Sequence, residues 1–266
     1  MNTEPAVKKK RIILTVIALC ILTAALSAYL LTPLLSAGGA GVMQDMRATS
    51  DEEDALHLGM EKFLRGFVTL GGRQYYFDAS GVMQKNGIVG SPEEGYTIAD
   101  ENGVCCVSEE IRLAASFMMK YCTGDTLDER MKTGFLYLAH HFPYARSYDH
   151  PSRARQLSAM AVEMFTNQKG NCYRYAACFA CLAKIAGYRV RVVLGKTAVW
   201  NPHGWTEVLV DGKWLICDPD AQLPGNKLPD YFAYMMEEHC WVVTPERYFE
   251  LTINEDGVAV WRRVLP

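Results

Sequence analysis

A thiol nucleophile needs a base beside it, and that base needs a third group to hold it in place. Cys172, His203 and Asp218 can supply those three parts. Cys172 stands in QKGNCYRYAACFACLAKIAG, residues 168–187. Asn171 is a favoured N-cap, which puts Cys172 at the first helical position, and Gly187 suits the residue that closes a helix. The positive end of the helix dipole favours a thiolate there. His203 and Asp218 come from HGWTEVLV and KWLICD, joined by Asp211-Gly212, the residue pair of a two-residue type I′ hairpin. In that register Val210 faces Lys213 and Trp205 faces Asp218. His203 then shares a face with Asp218 as its diagonal neighbour, about 7 Å away between backbones. Asp220 falls directly opposite His203 on paper. Pro219 cannot donate to the ladder and tends to end the pairing, so Asp220 is expected to peel away toward solvent.

These side chains need a scaffold. The helix opened by Cys172 carries Ala176, Ala177, Phe179, Leu182 and Ile185 with almost no polar face, which predicts a central, buried element. Before it, SEEIRLAASFMMKYC, TLDERMKTGFLYLAHHF and SRARQLSAMAVEMFTNQKG have helical spacing, the second opening on a Thr126–Glu129 capping box. After Gly187 the pattern turns to strands: YRVRVVLG, HGWTEVLV, KWLICD, CWVVT and GVAVWRRVL. Helices first and antiparallel strands after give an α+β layout.

Other reactive residue types read as structural. Cys178 and Cys181 spell C-x-x-C, but in mid-helix among apolar residues, which points to core packing. His140, His141 and His150 are not at metal-ligand spacing. Glu207 shares the His203 face and is expected to support the strand. No metal or cofactor is expected.

The N-terminal segment sets the compartment. Ile12 to Leu31 is uncharged and follows Lys8, Lys9, Lys10 and Arg11. Twenty apolar residues span a bilayer core of about 30 Å, and the basic cluster holds residues 1–11 on the cytoplasmic side. Residues 12–31 therefore read as a single-pass transmembrane anchor, or a signal if cleaved, with the rest extracytoplasmic. Taking those four basic residues and Glu4 from 27 basic and 30 acidic residues leaves 23 and 29, a net of about −6. An acidic surface argues against a nucleic-acid partner. Of nine cysteines Cys20 lies in the apolar segment; the other eight show no recognisable disulfide framework, and some are expected to be buried and free.

Residues 32–60, glycines followed by an acidic run, read as a flexible stalk. Residues 61–106 have the glycines and alternating apolar residues of short β-hairpins, and YFDASGV (76–82) recurs as IADENGV (98–104) at an offset of 22. Gly66-Phe67, Gly71, Tyr75-Tyr76-Phe77 and Gly81 resemble the choline- or glucan-binding type of cell-wall-binding repeat. Such families place a tryptophan in the glycine–aromatic pair, and here phenylalanine stands there.

Residues 107–266 are the expected catalytic domain. Gly170-Asn171-Cys172-Tyr173-Arg174-Tyr175, Gly187-Tyr188-Arg189-Val190-Arg191, His203-Gly204-Trp205-Thr206-Glu207 and Trp214-Leu215-Ile216-Cys217-Asp218 resemble, in order, the core motifs of the transglutaminase-like superfamily. The resemblance implies a papain-like core with helices packed on an antiparallel sheet. It implies Cys172 as nucleophile, His203 as base and acid, Asp218 as orienting group, and the Cys172 backbone N–H as an oxyanion donor; Gln168 is the sequence neighbour weighed for the second donor. The activity implied is extracytoplasmic thioester chemistry on amide or peptide carbonyls, either a cysteine peptidase or amidase or a transglutaminase-type acyltransferase. The substrate would be a protein, a peptide or a cell-wall component. The rival reading is a catalytically silent surface protein that binds or scaffolds at the wall.

Overall fold

A computed structural model describes residues 64–221, 234–235 and 242–266. The anchor and stalk expected over residues 12–60 lie outside them. Among the described residues no helix is long and apolar enough to cross a membrane.

The elements follow the order of the sequence pattern. Short strands come first: β1 (Gly66–Leu70), β2 (Arg73–Phe77) and β3 (Met83–Gln84) form one sheet, and β4 (Gly87–Ser91) with β5 (Gly95–Ala99) a second. Helices α1 (Glu109–Tyr121), α2 (Leu127–His141), α3 (Arg155–Asn167) and α4 (Cys172–Ile185) follow. The last group is β6 (Arg189–Thr197), β7 (Pro202–Val210), β8 (Lys213–Cys217), β9 (Tyr234–Met235), β10 (Val242–Ile253) and β11 (Ala259–Val264). They make one antiparallel sheet in the order β11-β10-β6-β7-β8-β9. The result is a mixed helix-and-sheet core, consistent with the papain-like arrangement expected from the motifs.

Local chemistry explains the boundaries. Thr126 and Glu129 complete the capping box that opens α2. The Asn171 side chain accepts from the Arg174 N–H and so fixes Cys172 in the first turn of α4. Gly187, at φ +93°, closes that helix: its N–H bonds the Lys184 carbonyl, and the Tyr188 N–H bonds Ala183. The Asp211-Gly212 turn has φ of +49° and +78°, as a type I′ turn requires, and Val210 pairs with Lys213. Helix α4 is buried almost throughout and is the centre of the core, with the other three helices and the sheet around it.

The repeat seen at 76–82 and 98–104 is a shared turn. Asp78 Oδ1 accepts from the Ser80 and Val82 amides, and Asp100 Oδ1 from those of Asn102 and Val104. A third copy lies between β10 and β11, where Asn254 Oδ1 accepts from Asp256 and Val258. Each closes on a glycine at positive φ: Gly81, Gly103 and Gly257. Because the same turn recurs inside the six-stranded sheet, it reflects local Asx-turn chemistry and does not by itself mark a wall-binding unit.

The hairpin region and the helical region share packing. Ile88, Tyr96 and Ile98 rest against the core that includes Cys106 and Ile111. The Arg73 guanidinium donates to Asp256 in the turn between β10 and β11 at 3.2 Å. The Arg112 guanidinium lies over the Phe67 ring at 5.3 Å.

Candidate active site

The site is assembled where the first turn of α4 meets the start of β7. Thr206 on β7 donates to the Ala176 carbonyl of α4 at 2.8 Å, tying the two elements together. Gly204 permits their close approach: a Cβ there would lie 2.5 Å from Cδ1 of Tyr173. Cys172 on one element and His203 on the other are thereby held face to face, both buried at 5% exposure.

His203 meets the two aspartates through different ring nitrogens. Its Nε2 lies 2.7 Å from Asp218 Oδ2, and both side chains are almost wholly buried. The expected pairing across the hairpin is present, although the β7–β8 ladder ends one step earlier, at Thr206–Cys217. Burial alone would pull the imidazole down. The Asp218 carboxylate and a hydrogen bond with the Cys172 thiol outweigh it and hold His203 well above the ordinary histidine value. That balance makes His203 a readier acceptor of a proton than a free imidazole.

Asp220 is not carried off to solvent. Its carboxylate lies 3.8 Å from His203 Nδ1 with its side chain 13% exposed. The reason is the turn after Pro219: the Ala221 amide donates to Asp218 Oδ1, so the chain curls back instead of peeling outward. Cys172, His203 and Asp220 offer ligand-type atoms all within 4.8 Å of one another. Burial, then the Asp218 charge, pushes the Asp220 carboxyl up to about 7.

Tyr144, which carries no sequence signal, also reaches the site. The 143–145 segment runs beside Gly170, with the Ala145 amide donating to the Gly170 carbonyl. Burial first, then Cys172 and Asp220, push the Tyr144 phenol up to about 12, opposed by a contact with the Cys172 backbone. The neighbouring loop is pinned as well. Arg174 bridges Asp149 and Glu163, Asn171 Nδ2 donates to Ser147, and His150 Nδ1 lies 2.7 Å from the Tyr173 hydroxyl. Gln168 is the left-handed C-cap of α3, at φ +52°.

The remaining candidates are structural. Glu207 is locked to Arg191 at 2.7 Å and accepts from the Trp205 indole at 3.1 Å, all three buried. Arg191 in turn lies over the rings of Trp214 and Tyr248. Cys178 and Cys181 are fully buried, and burial raises both thiols well above the ordinary value. The seven described cysteines form no disulfide among themselves.

Residues 114–219 match the family model of the transglutaminase-like superfamily. They form a transglutaminase-like domain. This match and the Cys172–His203–Asp220 cluster support a thiol enzyme in general. No curated protein matches the chain. A transglutaminase crystal structure is 20% identical, covering 56% of this chain and 41% of its own at TM-score 0.33. A protein described as a cysteine protease, from Cytophaga hutchinsonii, is 12% identical, covering 60% and 53% at 0.34. The periplasmic domain of TgpA from Pseudomonas aeruginosa, bound to ethylmercury, is 20% identical, covering 42% and 43% at 0.30. The chain thus spans about half the length of each or less.

Proposed function

We propose that this chain is an extracytoplasmic thiol enzyme that opens amide or peptide carbonyls through a thioester on Cys172. The observation that carries the reading is the 2.7 Å pairing of Asp218 with His203 Nε2, on an imidazole whose other side faces a thiol in the first turn of a buried helix. His203 takes the thiol proton as the sulfur adds to the carbonyl carbon. The oxyanion meets the Cys172 backbone N–H, beside which Tyr144 lies. The imidazolium returns its proton to the leaving amine as the C–N bond breaks. Water, deprotonated by His203, then cleaves the thioester, releasing the acid and restoring the thiol. Water is the default acceptor and makes the enzyme a peptidase or amidase; an amine taking its place gives transglutaminase-type transfer. Placement outside the membrane rests on the apolar stretch 12–31 and its preceding lysines.

The test is covalent capture. Incubation with a pool of peptides and wall fragments is expected to leave an acyl adduct on Cys172, detected by mass spectrometry, and iodoacetamide at neutral pH is expected to label Cys172 far ahead of the other cysteines. Cys172→Ala is expected to abolish turnover with little change in the thermal melt. Persistent turnover in that variant overturns the assignment.

A further inference from the structure

Catalysis as written uses one carboxylate, on the Nε2 side of His203, and leaves the second without a task. Asp220 is held on the opposite side of the ring, at 3.8 Å from Nδ1, by a turn that curls it inward. Burying a carboxyl there costs free energy in the protein alone, because among the described residues the imidazole is the cation that faces it. The groups around it are the Cys172 thiol, His203, the Asp218 carboxylate and the Tyr144 phenol. A sulfur, an imidazole nitrogen and a carboxylate oxygen within 4.8 Å of one another make a ligand set of the kind zinc takes. Ligand atoms around tetrahedral zinc stand roughly 3.5 Å apart, given bonds of about 2.0–2.3 Å, so small side-chain rotations would close the set. A second, independent feature fits a metal. The His203 nitrogen remote from Asp220 is hydrogen-bonded to the buried Asp218, the carboxylate–histidine arrangement that orients a metal-bound imidazole and raises its basicity.

We propose that Cys172, His203 and Asp220 form a reversible binding site for a zinc-class divalent cation that holds the enzyme inactive. The cation replaces the proton between Cys172 and His203 and, where Asp220 is protonated, that proton too; water completes the fourth position. Sulfur, nitrogen and oxygen become ligands, the displaced protons go to solvent, and the thiolate can no longer add to a carbonyl. Metal binding stands on geometry alone; its inhibitory consequence rests on the function proposed above.

Cobalt(II) is the probe, because a thiolate-to-cobalt charge-transfer band reports sulfur ligation directly. The purified full-length chain is expected to take up one cobalt ion with such a band, to lose the band when zinc is added, and to regain iodoacetamide labelling of Cys172 when a chelator removes the metal. Cys172→Ser, a near-isosteric change, is expected to lose the band while keeping its circular-dichroism melt. Asp220→Asn and Asp218→Asn are each expected to weaken cobalt binding by roughly 10–100-fold. No band, or a band that survives in Cys172→Ser, overturns the site, as does unchanged affinity in Asp220→Asn. The two proposals fail separately: metal uptake without acyl capture leaves the site standing and removes the proposed activity, whereas acyl capture without the band does the reverse.

Discussion

The Tyr173 ring lies against the backbone of Gly204, so near that a Cβ on residue 204 would stand 2.5 Å from Cδ1 and 3.1 Å from Cε1. The ring has little room to retreat, since it is 4% exposed and its hydroxyl meets His150 at 2.7 Å. Gly204→Ala must therefore push β7 away from the first turn of α4, the two elements that bear His203 and Cys172. Overpacking of this kind costs about 1–3 kcal/mol, and a misplacement near 1 Å at the reacting groups costs about 100-fold in rate. Expected is a lowered melting temperature with a larger proportional loss of turnover, at unchanged iodoacetamide access to the buried cysteines elsewhere. Wild-type turnover in Gly204→Ala would show that this contact does not set the spacing.

Asp218 and Asp220 flank one imidazole and are expected to rank unequally. Asp218→Asn keeps the shape but reverses the hydrogen bond that holds Nε2–H, so the ring loses its tautomer and its imidazolium loses its counter-charge; such a change costs up to about 10⁴-fold in rate. Asp220→Asn leaves that pairing in place and is expected to cost far less. Rates of the two variants on one peptide substrate decide the matter. A greater loss in Asp220→Asn would transfer the orienting role to the wrong side of the ring and overturn the triad as drawn.

Removal of residues 61–106 is expected to lower stability. The deletion strips Ile88, Tyr96, Ile98 and the buried Cys106 from the helical core, and the Phe67 ring from Arg112. Each apolar side chain fully uncovered costs about 1.5–3 kcal/mol. A denaturant melt of the truncated chain should show a lower midpoint; a midpoint equal to that of the intact chain would mean the hairpins contribute nothing to the core.

What was legible in the sequence is what local rules control. Asn171, the apolar run of α4, Asp211-Gly212 and the period-two strands each have a short-range cause, and from the hairpin register alone His203 and Asp218 fall on one face. The misplacement of Asp220 has a local cause too. Pairing does stop short of Pro219, but the Asx-type bond from Ala221 to Asp218 turns the chain back. Tyr144 is different in kind: its position depends on the 143–145 segment lying beside Gly170, a contact between stretches with no sequence pattern in common. The third Asx turn at Asn254 is legible in principle, since NEDGV repeats the spacing of DENGV, but it lies more than 150 residues from the other two.

The loop beside the nucleophile should loosen with acid in a predictable direction. Asp149 pairs with Arg174 at 2.7 Å, and Arg174 leaves the helix turn that begins with Cys172. The hydrogen bonds and charge of Arg174 hold the Asp149 carboxyl below its ordinary value of 3.8, against a smaller opposing effect of burial. A carboxylate whose folded value is depressed adds stability above its unfolded value, and that contribution fades as pH falls through the folded one. At pH 7 Asp149→Asn is therefore expected to melt below wild type. The gap should be small, under about 1 kcal/mol, because the Asp149 side chain is 45% exposed and the pair is screened. As pH drops below about 4 the wild-type carboxyl takes up its proton and the two melting curves should converge. Glu163, on the other side of Arg174, keeps the guanidinium in place in both proteins, so the comparison isolates Asp149. Melting temperatures of the two proteins from pH 7 to pH 3 provide the measurement. A gap that stays constant or widens toward pH 3 would mean that the Asp149 carboxylate is not what pins the loop.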